Sequence, residues 1–308
     1  MPSLSTESPA HILVATDLSD AAGRAVERAA ALAEVHRARL TAVHVLPGRA
    51  GASAVASAGE ALQEHLDRYS PGSYDDIAVR TGDTNSVIVG EAADRDADLL
   101  VIGSHGRNRM IGALLGGTAE LLARSSRVPV LVVKNTPTDG YRSVLLAVDT
   151  SPTADHAARA GTILTPSADH TLVHAAVVPG ERMLRTHGVT ESGLHELRRS
   201  GRDSAGPHIE ELAHTLRPSP VRTVVESGQP APRIIETARA LDADLVVVGS
   251  GRHTRIGYAL LGTTGQGVLL HARSDVLIVP EPAASAMRMP ESGASPPAHL
   301  NDHRPQAR

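Results

Sequence analysis

The apolar positions of this chain fall into short dense runs, separated by longer stretches in which they recur at helical spacing. HILVATDLSD (11–20), DADLLVIGS (96–104) and VPVLVV (128–133) each carry such a run. Runs without polar alternation suit parallel strands covered on both faces. Between the first two runs, Ala22, Ala25, Val26, Ala29, Leu32 and Ala33 form a stripe of helical period. Ser19 is placed to cap that helix, and Ser151 with Pro152 at the first helical position opens a later one. Ile234, Ile235, Ala238 and Leu241 repeat the helical spacing just before a strand starting at Leu245. Strand–helix alternation of this kind predicts doubly wound α/β units.

The pattern occurs twice. SVLLAVDTSP (143–152) echoes the first run, TLVHAAVVPG (171–180) echoes LTAVHVLPG (40–48), and DADLVVVGS (242–250) echoes DADLLVIGS. ALLGTT (259–264) matches ALLGGT (113–118), and SDVLIV (274–279) matches VPVLVV. Asp17 and Asp149 lie 132 positions apart, whereas Gly103 to Gly249 and Gly116 to Gly262 both span 146. The extra residues of the second copy therefore fall between His174 and Gly228, as a longer middle helix or loop. The expected organisation is a disordered start (1–9), a first domain (10–136), a linker around TPTDGY, a second domain (141–281) and a disordered tail (282–308).

Composition narrows the chemistry. The 308 residues include no Phe, Trp or Cys, so cores rest on Ala, Val, Leu and Ile, and thiol chemistry, disulfides and cysteine metal sites are excluded. The net charge of -4 without a one-signed run argues against nucleic acid or an anionic membrane as partner. MPSLSTESPA lacks a signal-peptide pattern, and no apolar run approaches the roughly 20 residues that cross a bilayer, so a cytoplasmic location is expected. Lys134 is the single lysine and no G-x4-G-K-[S/T] or G-x-S-x-G motif occurs, which removes P-loop and nucleophile-elbow mechanisms. His170 and His174 have zinc-like spacing, but on a strand they stand roughly 13 Å apart, too far for one ion. No metal site and no catalytic residue is expected.

In open α/β sheets, ligands bind beyond the carboxyl ends of the strands. Asp17 follows the first strand, His44-Val45 ends the second and Gly103 follows the fourth. Gly103-Ser104-His105-Gly106 is followed by nine residues and then Gly116-Gly117-Thr118, at the start of a helix. Such a glycine loop lets backbone N–H groups approach phosphate. Arg107, Arg109 and, in the second copy, Arg255 offer forked donors to phosphate, or serve as solvated surface arginines. Asp17 and Asp149 either orient a ligand or cap the turn into the next helix.

This composite resembles the ATP-binding signature G-x2-G-x9-G-[S/T] of the universal stress protein family, and the first-strand Asp, the second-strand HV pair and VPVLVV resemble it as well. The resemblance implies tandem domains, each with a five-stranded parallel sheet in the order 3-2-1-4-5, and ATP as ligand, with or without Mg2+. Carried over, it assigns phosphates and ribose to Gly103, Ser104, His105, Gly106, Gly116, Gly117 and Thr118, and the adenosine end to Asp17 and the backbone of Val45. In the second copy the matching positions are Asp149, Ala175, Gly249, Ser250, Gly251, Arg252, His253, Gly262, Thr263 and Thr264. Both copies depart from the signature: Gly117 stands where Ser or Thr is expected, and Arg252 takes the slot of the second Gly. The expected function is ATP-dependent regulation of a protein partner in a stress response. A nucleotide-free interaction module and a very slow ATPase are the alternatives. The apolar last strands, Val128–Val133 and Val276–Val279, are expected to pair the two domains about a pseudo-twofold, with a homodimer as a further step.

Overall fold

The structure is a computed structural model that describes residues 7–105, 116–251 and 261–281. Both tails, and Gly106, Arg107, Arg109, Arg252, His253 and Arg255 of the expected site, lie outside the described residues. In the first half, β1 (His11–Ala15), α1 (Asp20–His36), β2 (Arg39–Pro47), α2 (Ala52–Tyr69) and β3 (Asp76–Gly82) are followed by α3 (Thr84–Asp94), β4 (Leu99–Gly103), α4 (Gly117–Ser125) and β5 (Val130–Val133). The second half runs β6 (Ser143–Val148), α5 (Pro152–Leu164), β7 (Asp169–Ala176), α6 (Glu181–Thr186), α7 (Glu191–Thr215) and β8 (Arg222–Ser227). It closes with α8 (Pro230–Ala240), β9 (Leu245–Gly249), α9 (Thr263–His271) and β10 (Asp275–Val279). The additional residues of the second copy form α6 and lengthen α7 to 25 residues, against 18 in α2.

The strands form one sheet in the order β3-β2-β1-β4-β5-β10-β9-β6-β7-β8. Each half keeps the order 3-2-1-4-5 in parallel, and the halves meet where β10 runs antiparallel to β5, with Val276, Leu277 and Ile278 opposite Val132, Leu131 and Val130. Alternate side chains of the same strand enter different layers. Ile12 and Val14 belong to the layer that holds the buried residues of α1, α2, α5 and α7, while Leu13 and Ala15 belong to the layer that holds those of α3, α4, α8 and α9. Two-sided burial explains why the strands carry no polar alternation.

Local chemistry accounts for the helix starts. The Ser19 hydroxyl accepts from the Ala22 N–H at 3.2 Å, Ser151 does the same for Ala154, and Asp83 accepts from Ser86. The repeated DADL motif ties strands together: Asp98 accepts from the N–H groups of Ala10 and His11, and Asp244 from those of Arg142 and Ser143. A polar brace gathers around Asp275 at one end of the seam. Asp275 Oδ1 accepts from the backbone of Lys134 and Asn135, and the Lys134 ammonium donates to the carbonyls of Leu269 and Ala272 at the end of α9.

Candidate functional site

A cavity of about 480 Å3 opens at the carboxyl ends of β1, β2 and β4. The winding of the sheet reverses between β1 and β4, the place where such folds take ligands. Its lining combines Asp17, Val45, Gly103, Ser104, His105, Gly116, Gly117 and Thr118, so the described part of the expected first site comes together. Val43, Ile88 and Ile102 add apolar side chains to its lining.

The glycine loop is anchored where it leaves and re-enters the described residues. The Ser104 N–H donates to the Val133 carbonyl at 2.9 Å, and the Gly116 N–H donates back to the Ser104 carbonyl at 2.8 Å. This pins the start of α4 beside the end of β4. Among the described residues no side chain caps α4, whose N-cap is Gly116, so its first-turn N–H groups and positive dipole end border the cavity. Gly103 has a structural reason of its own. A Cβ there would lie 3.1 Å from the Ala21 carbonyl oxygen and 3.4 Å from the Ala22 Cα, because β4 passes close under the start of α1. Gly117 differs, since a Cβ there would meet nothing within 4 Å.

Asp17 caps its turn: its Oδ1 accepts from the Ser19 N–H at 3.1 Å and from the Ser19 hydroxyl at 2.6 Å. The turn also contains Leu18 at φ 65°, a left-handed conformation that costs a non-glycine residue about 1–2 kcal/mol. His44 does belong to the sheet, with its Nδ1 hydrogen-bonded to the Thr16 carbonyl at 2.8 Å, yet it lines the cavity too. Behind the turn, burial pulls the His65 pKa below its ordinary value, against the opposing pull of the Asp17 carboxylate.

The second copy repeats this frame at half the size. Its cavity of about 230 Å3 is lined by Asp149, Ala175, Gly249, Gly251, Gly262, Thr263 and Thr264 among others. Ser250 lies behind it, donating its N–H to Val279 and accepting from the Gly262 N–H at 2.8 Å. Here Val148 stands for Thr16, and β7 contributes only Ala175, whereas β2 contributes Val43 to Pro47. Gly251 has φ 84°, so the bend next to Arg252 falls on a glycine.

Sequence reasoning missed Thr84 and Ile88 of α3, Leu122 of α4, and Leu46 and Pro47 at the end of β2, all of which line the first cavity. Thr84 was within reach, since it lies two residues past the carboxyl end of β3, the rule that located the other loops. His170 and His174 lie on β7 with separate partners, Thr165 Oγ1 and the Val148 carbonyl. Among the described residues no group of three His, Cys, Asp or Glu side chains converges to hold a metal, and no helix is long and apolar enough to cross a membrane.

The model of the universal stress protein family matches residues 10–134 and again 140–280. A universal stress protein of Mycobacterium tuberculosis strain H37Rv is 30% identical over 300 residues, covering 88% of this chain and 96% of that protein. One from Mycolicibacterium smegmatis is 27% identical over 297 residues, 87% of this chain and 96% of the relative. A further Mycobacterium tuberculosis universal stress protein is 28% identical over 195 residues; that match spans 62% of the relative's length and 59% of this chain. Among solved structures, a universal stress protein from Archaeoglobus fulgidus superposes with a TM-score of 0.65 at 19% identity, over 88% of this chain and 98% of the other, which bears on the fold alone. With both halves matched by one family model and relatives aligned along most of its length, the chain belongs to the universal stress protein family.

Proposed function

We propose that the first half binds an adenine nucleotide and that its occupancy regulates a protein partner without turnover. The observation that carries this reading is the mixed lining of the larger cavity. It includes an uncapped helix start beside a glycine loop, which suits phosphate. It also includes the apolar side chains of Val43, Ile88 and Ile102 together with Asp17 and Val45, which suits a base and a ribose. The donor set fits the nucleotide. Asp17 is the one carboxylate among the described lining residues, so a bound Mg2+ would be held mainly by the phosphates.

On this reading the two units, 10–136 and 141–281, are unequal. The second cavity keeps the helix start at Gly262 and the aspartate, Asp149, but has half the room, which favours weaker nucleotide binding there. Calorimetric titration with ATP, ADP and GTP, alongside nucleotide extraction from the purified protein, tests the proposal. Saturable binding of ATP near one equivalent is expected. No heat with any nucleotide and an empty extract would overturn it in favour of a nucleotide-free interaction module.

A further inference from the structure

We propose that His65, a residue outside the ligand cavity, positions the Asp17 turn of the first site and makes its ligand affinity depend on pH. The inference rests on nucleotide binding in the first cavity. Thr16 directly follows β1 and lines that cavity, and its hydroxyl holds two neighbours: the Leu18 N–H donates to Oγ1 at 3.0 Å, and His65 Nε2 lies 3.1 Å from the same oxygen. The first of these bonds secures the residue with left-handed φ, and the next two residues of the turn, Ser19 and Asp20, open α1. The backbone strain of Leu18 is thus restrained by a hydroxyl, and the hydroxyl is restrained from α2.

The same end of α2 grips α1 a second time. Tyr69 packs against the His65 ring with centroids 4.9 Å apart, and its hydroxyl donates to Asp20 Oδ1 at 2.7 Å. Its ring fills the space beside Gly23, where a Cβ would come within 2.3 Å of it. The second half supplies an internal control. Val148 replaces Thr16, Thr150 in place of Leu18 is not among the residues with positive φ, and the cavity has half the volume. There the long helix α7 reaches α5 through His208 and Asp155, 3.0 Å apart, rather than through the turn.

The proton count gives His65 its leverage. Thr16 has one hydroxyl proton and two acceptor sites, one of them taken by the Leu18 N–H, so with neutral His65 the tautomer sets which partner donates, and the hydroxyl is free to give its proton to Nε2. Once the imidazole is charged, Nε2 can only donate, the Thr16 hydroxyl can only accept from it, and a cation stands near Asp17. The groups facing His65 are Asp17 and Asp20 of the first turn, His44 of β2, and Arg68 and Tyr69 of its own helix. The carboxylates favour the charged ring, Arg68 and His44 oppose it, and burial outweighs them, so the ring is neutral at pH 7. Affinity is therefore flat above the ordinary histidine value of 6.5 and falls below it as the cation draws the Asp17 carboxylate away from the ligand.

The test measures ADP affinity from pH 5 to 8 in the full chain and in His65→Gln, His65→Leu, Thr16→Val and the Leu/Val double variant. Because the phosphate titration of ADP is common to all, it cancels in the comparison. His65→Gln, whose amide can still bond Thr16, is expected to stay within about twofold of the wild type at pH 8 and to lose the acid fall. His65→Leu and Thr16→Val are each expected to lose about tenfold, and the double variant no more than either, the mark of one shared interaction. Amide exchange at Leu18 and Ser19, read without ligand, should accelerate in His65→Leu and remain slow in His65→Gln. Wild-type pH dependence in His65→Gln, or additive losses in the double variant, would overturn the proposal. Should the wild type bind no nucleotide, the functional reading fails by itself, and unchanged amide exchange in His65→Leu would then reject the positioning role as well.

Discussion

Tyr141 and Asp275 come from opposite ends of the second half, yet the tyrosine hydroxyl donates to Asp275 Oδ2 at 2.8 Å. Asp275 is 1% exposed and sits at the first position of β10, where the two halves join. The Arg28 guanidinium stacks on the Tyr141 ring at 4.0 Å, approaches the carboxylate at 3.9 Å, and donates to the Asp139 carbonyl at 2.7 Å. A helix of the first half, the linker and the last strand thus share one buried polar cluster. Tyr141→Phe removes a donor from this buried carboxylate and should cost about 1–3 kcal/mol in urea unfolding, an amount typical of leaving a buried polar group unpaired.

Lys134 belongs to the same seam. Burial pulls its pKa down from 10.5 to about 8, although Asp275 opposes the shift. Since the unfolded amine keeps the higher value, the folded state binds fewer protons between pH 8 and 10.5, so stability rises with pH across that window. Tyr141, whose pKa is raised well above 10, adds an opposing slope only at the alkaline end. Lys134 is the single lysine, so a 13C-lysine sample should give one side-chain signal titrating near pH 8, and Lys134→Met should flatten the rise in stability.

The phosphate end of the first site can be challenged without disturbing the fold. Gly117 begins α4 and has open space beside it, so Gly117→Asp adds a carboxylate where the helix dipole welcomes one and a phosphate would be repelled. ATP binding should fall at least tenfold in calorimetry while the melting temperature holds. Thr263→Asp, the matching change at α9, should leave the high-affinity site intact. The reverse outcome would mean that the second half carries the ligand.

Glycines inside helices should separate by sign. Gly90 in α3 has nothing within 4 Å of a built Cβ, so Gly90→Ala should stabilise by about 0.5–1 kcal/mol through helix propensity. At Gly161 in α5 a Cβ would sit 2.8 Å from Leu146 Cδ2 and 2.9 Å from Val247 Cγ2. Gly161→Ala should therefore lose about 1–3 kcal/mol to overpacking. Thermal unfolding of both variants checks the pair.

The alternation of dense apolar runs and helical stripes made the strands, the caps at Ser19 and Ser151, and the doubled architecture readable in advance, because two-sided burial and capping are local demands. The spacing of Asp17, Gly103 and Gly116 also pointed to one place, since the carboxyl ends of parallel strands converge. Less visible were contacts that depend on how helices approach one another. Gly103 reads as a ligand glycine, but a Cβ there would also crowd the Ala21 carbonyl oxygen at 3.1 Å. His65 carries no motif, and its link to Thr16 exists only because α2 lies against the β1–α1 turn. The seam cluster could not be read from the repeats either, because Ala160 stands in the second copy where Arg28 stands in the first.

Antiparallel pairing of β5 with β10 reverses every strand of the second half relative to the first. The carboxyl ends of the two halves, and with them the two cavities, consequently open at opposite rims of one slab. Five strand positions separate β1 from β6, about 24 Å across the sheet before the length of the strands is added. No small molecule can span the two mouths, and a protein docked over one leaves the other accessible. The two cavities thus face away from each other, and the β5–β10 seam is the stretch of sheet that lies between them.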